Sequence, residues 1–140
     1  MNKLTFSSGI PTKIDVRRLI DAIGVPAENE EIAYETISEI IDQKKGSYRW
    51  ATVVTAWRKL LYREHNVLLE AFAAKAFKVA DPDNRVHHSA GKYKSGLRSV
   101  FRAGDVAHKT DISRLGPDQQ RACTHIVNAT AKLRQAAAIE

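Results

Sequence analysis

The apolar residues of this chain change their spacing at Asn66, and that change limits the folds open to the chain. Over residues 48–65 the large apolar side chains recur every three or four positions, which predicts an amphipathic α-helix. After Asn66 the runs VLLEAF and AFKVA are short and extended, and AAK separates them. This pattern predicts a β-hairpin over about residues 67–80. The chain is therefore predicted to combine helices with a small sheet.

Two shorter helices are predicted ahead of this one. Apolar residues at helical spacing predict a helix over residues 13–23, where Thr12 and Asp15 have the spacing of a capping pair and Gly24 ends the helix. A second helix is predicted over about residues 34–42, after a polar loop and a short apolar step.

The segment DQKKGSY connects this second helix to the long one. Gly46 breaks the chain, and Ser47 is a residue that caps helices by accepting hydrogen bonds from their first free N–H groups. We therefore expect the long helix to begin at about residue 48.

A helical hairpin is predicted for the rest of the chain. Residues 81–88 have the composition of a turn-rich linker, and a new helix is predicted from Ser89. The last helix follows Pro117 and carries small apolar residues at alternating spacings of four and three, here called the seam: Ala122, Ile126, Ala129, Leu133 and Ala136. A seam of this kind suits packing against the preceding helix or against the same helix in a homodimer.

The fold class predicted from these elements is mainly α with a small β-hairpin, an α+β arrangement. Residues 1–80 form one domain in this interpretation, and residues 81–140 form a C-terminal helical extension. With 44% hydrophobic and 27% charged residues, the chain can build a packed core. Its single cysteine rules out an internal disulfide, and it has no apolar stretch long enough to span a bilayer. We expect a cytoplasmic protein with no membrane partner.

Positive charge is concentrated in the long predicted helix and the turn before it. The chain carries a net charge of +6, and residues 43–65 hold six basic residues against one acidic residue. The polar face of that helix contains cations, hydroxyls and small side chains but no carboxylate: Tyr48, Arg49, Thr52, Thr55, Ala56, Lys59 and Arg63. Such a face suits the DNA major groove, because carboxylates are repelled by phosphate and bulky aliphatic groups block approach. An ordinary solvated face is the alternative.

Double-stranded DNA is the partner predicted by this face. Arg49, Thr52 and Thr55 are predicted to lie nearest the base edges, beside Tyr48. The phosphate contacts are predicted from cations of the helix, the preceding turn and the hairpin: Lys44, Lys45, Lys59, Arg63, Lys75 and Lys78. A further basic row on the next helix is either a second phosphate-binding strip or a solvated face: Lys94, Arg98 and Arg102.

No catalytic residue, metal ligand or cofactor is predicted. The chain contains no nucleotide-phosphate motif and no serine-hydrolase motif. The adjacent His87 and His88 do not have the spacing of metal ligands, and neither His125 nor Cys123 lies in a nucleophile pattern. We therefore expect a binding protein that is not an enzyme.

The order of elements resembles the winged helix-turn-helix superfamily. More narrowly, residues 31–80, from EIAYETISEIID through RWATVVTAWRKLLYREHNVLLEAFAAKAFKVAD, resemble small phage and prophage proteins of mostly unassigned function. The resemblance implies a winged helix-turn-helix in residues 1–80 and a role as a phage transcription regulator. The alternative is a phage effector that binds a host protein or defence complex, such as an anti-CRISPR-type inhibitor, and the all-alanine wing tip and the C-terminal extension favour it.

The wing departs from the pattern that the resemblance implies. Glycine is expected at positions that here hold Ala73, Ala74 and Ala76, whereas Phe77 and Lys78 keep the aromatic and basic ending. Alanine resists positive φ angles, so an altered wing turn is expected.

Overall fold

The computed structural model describes residues 11–138. Its elements follow in the order α1 (Thr12–Ile23), β1 (Glu31–Ala33), α2 (Tyr34–Ile41), α3 (Tyr48–His65), β2 (Leu69–Phe72), β3 (Ala76–Val79), α4 (Pro82–His108), a 3-10 turn (Ile112–Arg114) and α5 (Pro117–Ala137). The predicted fold class, mainly α with a small β-hairpin, is confirmed. The chain divides into two compact units, and the boundary between Arg85 and Val86 falls within α4.

The sheet of the first unit has three strands rather than the two of the predicted hairpin. β1, formed around the apolar step at Ile32, pairs with β3, so that the antiparallel order is β1-β3-β2. Ile32 lies opposite Phe77 and both are buried, because they share the face that covers the helices. On the other face Lys78 lies opposite Glu31 on one side and Glu70 on the other.

The core of the first unit lies between its three helices and this sheet. Tyr34 is at its centre, with ring centroids 5.7 Å from Trp50 and 4.8 Å from Phe77, both edge to face. Trp57 is fully buried and contacts the same Phe77 ring. Burial of the apolar side of α3 determines which of its side chains remain in solvent.

Both ends of α3 are determined by local contacts, and the predicted bounds are confirmed. The Ser47 hydroxyl accepts a hydrogen bond of 3.1 Å from the Trp50 N–H, which caps the first turn. Asn66 adopts a left-handed conformation with φ 54°, and its N–H bonds to carbonyls of the last turn. Asparagine tolerates this conformation better than most residues, and the chain then leaves the helix for β2.

The predicted capping pair of the first helix is wrong. α1 begins after Pro11, and no side chain caps it. Asp15 is buried instead, where it accepts hydrogen bonds from two arginines, Arg18 and Arg49.

The predicted turn-rich linker is also wrong, because residues 82–88 are helical and α4 begins at Pro82. The Asp81 carboxylate accepts a 2.8 Å hydrogen bond from the Asn84 N–H, and Pro82 has the fixed φ suited to a first helical position. A proline and an aspartate that are common in turns thus start a helix here.

In the second unit α4 and α5 form a helical hairpin. Gly104 is buried against Thr130, and the Cys123 thiol donates to the Ala107 carbonyl at 3.2 Å. The Arg134 guanidinium lies 2.9 Å from the Asp105 carboxylate.

The seam lies at the edge of the α4 contact. Ala129 is half-buried and the other four seam residues are exposed, whereas buried Cys123 and Thr130 lie on another side of α5. Ala122 and Ile126 nevertheless border the groove between α4 and α5. The seam therefore meets the preceding helix at these two residues only, and its packing in a homodimer stays a prediction.

Candidate nucleic-acid interface

The exposed side of α3 is here called the front. The opposite side of the helix is buried in the core, and this determines which residues belong to the front. Its residues span the length of the helix: Tyr48, Ala51, Thr52, Thr55, Lys59, Tyr62 and Arg63. Tyr48 is 88% exposed at the N-terminal end. The Thr52 hydroxyl donates to the Tyr48 carbonyl at 2.9 Å, so its methyl group and oxygen lone pairs remain for a ligand. None of the described side chains on this front is a carboxylate, although Glu64 beside it accepts a hydrogen bond of 3.1 Å from Arg63 Nε.

Arg49 points away from the front, toward α1. Its Nη2 lies 2.8 Å from Asp15 Oδ2 and donates to the Pro11 carbonyl at 3.3 Å, and its Nε donates to the same carboxylate oxygen at 3.1 Å. Ala56 packs beside the core on the same flank. The guanidinium therefore joins α1 to α3 and is directed away from the front, in contrast to the predicted position of Arg49 near the base edges.

The turn before α3 lies beside the turn between β2 and β3, the segment that the sequence analysis predicts as a wing. Lys45 Nζ is 4.2 Å from the centre of the Tyr34 ring and 3.4 Å from the Ala74 carbonyl oxygen. Lys44 and Lys75 are exposed and border the same groove as Lys45. Three of the predicted phosphate-binding cations are thus brought together, although they are far apart along the chain.

The wing turn has the conformation that favours glycine. Ala73 and Ala74 have φ angles of 51° and 55°, and the Lys75 N–H bonds to the Phe72 carbonyl at 3.2 Å across them. Two left-handed residues in sequence match the backbone of tight hairpin turns. Ala76, the third alanine singled out, lies in β3 and is buried. The wing keeps its geometry at the cost of two alanines in a disfavoured conformation.

Lys78 is less suited than Lys75 to contact phosphate. Its cross-strand neighbours are Glu31 and Glu70, and its Nζ lies 4.9 Å from the centre of the Phe72 ring. Opposite charges at directly paired positions attract each other across a sheet. The charge of Lys78 is therefore largely balanced within the sheet.

Two cations that the sequence analysis did not select border the flank of the front. Lys13 and Arg17 of α1 line one groove together with Lys59 and Arg63. Lys13 and Arg17 are four residues apart, a spacing that places them on one side of a helix. This spacing could have predicted that the two cations lie together, but the side of α1 that faces Lys59 depends on helix packing.

An acidic surface adjoins the groove of Lys44, Lys45 and Lys75 and supplies part of its lining. Glu35 and Glu39 of α2 and Asp42 after it are exposed, and Glu31 and Glu35 also border the groove that holds Lys44. Phosphate is repelled on this side, so a polyanion is expected to approach along the front and the wing tip.

No group of three or more His, Cys, Asp or Glu side chains in residues 11–138 is placed to hold a metal ion. In the same residues no helix is sufficiently long and apolar to cross a membrane. Comparison with protein-family models, curated proteins and solved structures finds no significant match to this chain.

Proposed function

We propose that this protein binds double-stranded DNA with α3 in the major groove and the wing beside the backbone. The observation that carries the proposal is the front of α3, an exposed helix face with hydroxyls and small side chains at one end, cations at the other and no carboxylate. A helix of this diameter fits the major groove, where threonine and small residues contact base edges and cations contact phosphates.

The proposed contacts are assigned from the positions on the front. Tyr48, Thr52 and Thr55 lie nearest the base edges, because they occupy the N-terminal half of the face. The phosphate contacts come from the remaining exposed cations of the front, the turn and the wing tip: Lys44, Lys45, Lys59, Arg63 and Lys75. Lys13 and Arg17 add positive charge on the α1 side.

Selection of bound sequences from random duplex DNA, followed by affinity measurements over a range of salt concentrations, tests the proposal. Lys59→Gln is expected to weaken binding to every sequence alike and to reduce the slope of log K against log salt by about 0.9, the value for one phosphate contact. The matched control is Lys78→Gln, which removes the same charge from a position between two glutamates and is expected to have a smaller effect. Equal effects of the two variants would contradict the assigned face.

A protein partner is the second candidate function, and the charge balance of the first unit favours it. Residues 1–85 carry 13 basic and 12 acidic residues, so this unit is nearly neutral and has a pronounced acidic side on α2. The double variant Glu35→Gln/Glu39→Gln separates the two candidates. DNA affinity is expected to rise when these carboxylates are removed, whereas a partner protein bound through the acidic side would be lost.

The biological role we propose is transcription regulation in a phage or prophage, acting in the bacterial cytoplasm as a homodimer. Resemblance to phage proteins supports the role, and the exposed seam on α5 supports the dimer. A two-fold symmetric protein is expected to select a palindromic site from random DNA, with half-sites about one helical turn apart.

A further inference from the structure

Most of the net charge of this protein lies in its second unit. Residues 86–140 carry nine basic and four acidic residues, a net charge of +5 out of the +6 of the whole chain. The winged unit, which the proposed function concerns, is nearly neutral. The stronger attraction for a polyanion therefore comes from the C-terminal helices.

The carboxylates of the second unit are already used by other groups. Asp105 pairs with Arg134, and Asp118 pairs with Arg121. Asp111 accepts hydrogen bonds from the N–H and hydroxyl of Ser113 at the start of the 3-10 turn. Within the described residues of this unit, no carboxylate is left to balance the cations of α4.

The unbalanced cations form a row on α4, here called the α4 strip: Lys94, Arg98 and Arg102. All three are exposed, and no ion pair or side-chain hydrogen bond joins them to any described residue. They are four residues apart, so about 6 Å separates consecutive members along the helix axis. Like charges at this spacing destabilise a helix, and a bound anion relieves the repulsion.

The α4 strip lies mostly away from the contact between α4 and α5. That contact is made by Gly104 and Ala107 on the other side of the helix, although the Arg102 side chain also borders the groove between α4 and α5. Its α4 neighbours at helical spacing include Gly91 and Ser95, small residues that leave the cations accessible to a ligand.

We propose that the α4 strip binds the phosphodiester backbone of duplex DNA, as a second, sequence-independent site. The proposal rests on the proposed function, because it takes nucleic acid as the ligand. The large apolar residues next to the row at helical spacing, Leu97 and Phe101, are half-buried, whereas the three cations are exposed. A row of exposed cations matches the dense charge of duplex DNA, about one negative charge per 1.7 Å of axis.

The experiment uses the full chain and compares two triple variants that remove the same charge from the second unit. The test variant is Lys94→Gln/Arg98→Gln/Arg102→Gln, and the control is Arg114→Gln/Arg121→Gln/Lys132→Gln, which leaves the α4 strip intact. Both are checked for helix content by circular dichroism before binding is measured. The ligand is duplex DNA of random sequence, titrated over a range of salt concentrations.

The test variant is expected to lose at least about tenfold in affinity near physiological salt and to reduce the salt slope by about 2 to 3, since each phosphate contact contributes about 0.9. The control variant is expected to change the slope by less than one contact. Equal losses in the two variants would overturn the proposal, because the effect would then follow net charge alone. The proposal would also be overturned if the test variant lost binding to vesicles containing anionic lipid while its DNA binding stayed intact.

The outcomes distinguish this proposal from the proposed function. If Lys59→Gln weakens DNA binding and the α4 strip variant does not, the α3 interface stands and the strip proposal falls. If the strip variant loses binding while Lys59→Gln is unaffected, the strip proposal stands and the α3 assignment falls.

Discussion

Arg49 on α3 and Asp15 on α1 form an ion pair in which Nη2 lies 2.8 Å from Oδ2, and the aspartate is only 5% exposed. The arginine side chain remains 25% exposed, and it also bonds to the Pro11 carbonyl. The two residues are 34 positions apart in the chain, so the pair joins the first helix of the domain to the start of the helix proposed to enter the major groove.

Arg49→Met is expected to lower the free energy of unfolding by about 2–3 kcal/mol. Removing Arg49 leaves the buried Asp15 carboxylate with Arg18 as its remaining ion-pair partner, and this partner and the partial exposure of Arg49 reduce the usual cost of breaking a buried pair. Urea denaturation measures the change. The double variant Asp15→Leu/Arg49→Met is expected to recover most of the loss, because it leaves no buried carboxylate. If Arg49→Met were as stable as the wild type and had altered DNA specificity, Arg49 would contact base edges and the ion pair would not be its main role.

Gly104→Ala is expected to destabilise the C-terminal hairpin by about 1–3 kcal/mol, the range for overpacking of a tight contact. A Cβ atom at this position would lie 2.3 Å from Thr130 Oγ1 and 2.7 Å from its Cβ. The matched control is Gly96→Ala on the same helix, where no atom lies within 4 Å of the added Cβ. That variant is expected to gain up to about 1 kcal/mol from helix propensity. Thermal unfolding followed by circular dichroism measures both, and opposite signs are the expected result.

Ala74→Gly is expected to stabilise the first unit by about 0.5–1 kcal/mol. A left-handed alanine costs about 1–2 kcal/mol, and the greater entropy of glycine in the unfolded chain offsets part of the gain. Ala71→Gly in β2 is the control, since glycine weakens a regular strand by about 0.5–1 kcal/mol. Denaturation midpoints compare the two. A destabilised Ala74→Gly would show that the turn does not hold φ 55° at this residue.

Ile126→Glu is expected to shift the protein from dimer to monomer, because it places a charge in the proposed dimer contact. Ile126 is 38% exposed and borders the groove between α4 and α5, so circular dichroism first checks that the variant keeps its helix content. Sedimentation velocity over a range of concentrations measures the shift, and Thr124→Glu on the opposite side of α5 serves as the control. A wild-type protein that is monomeric at every concentration would refute the dimer.

Element order was the part of the fold that sequence patterns predicted best. Apolar spacing identified α3 to its terminal residues, because Ser47 and Asn66 end it by local contacts that depend on neighbours in sequence. Asp81 and Pro82 predicted a turn where a helix begins, since the same residue types start helices and form turns. Which outcome occurs depends on whether the Asp81 carboxylate reaches the Asn84 N–H, as it does here.

The candidate site was only partly predictable, for a related reason. Helical periodicity correctly separates Lys59, in the middle of the exposed side, from the buried Trp57. It cannot predict whether a residue at the edge of that side, such as Arg49, is exposed or paired, because its ion-pair partner Asp15 lies on the neighbouring helix. The same uncertainty applied to Lys78, whose balancing glutamates come from two other strands.

What the sequence determined by itself is therefore local: the positions of α1 to α3, the change to an extended chain after Asn66, and a carboxylate-free helix face. Only the tertiary structure decided which cations on or near that face are paired with a carboxylate of the protein and which remain available to a ligand. Arg49 is held by Asp15, whereas Lys59 lies exposed on the front. The physical reason is that helix periodicity and capping arise between residues a few positions apart, whereas charge compensation arises between side chains that only packing brings within a few ångströms.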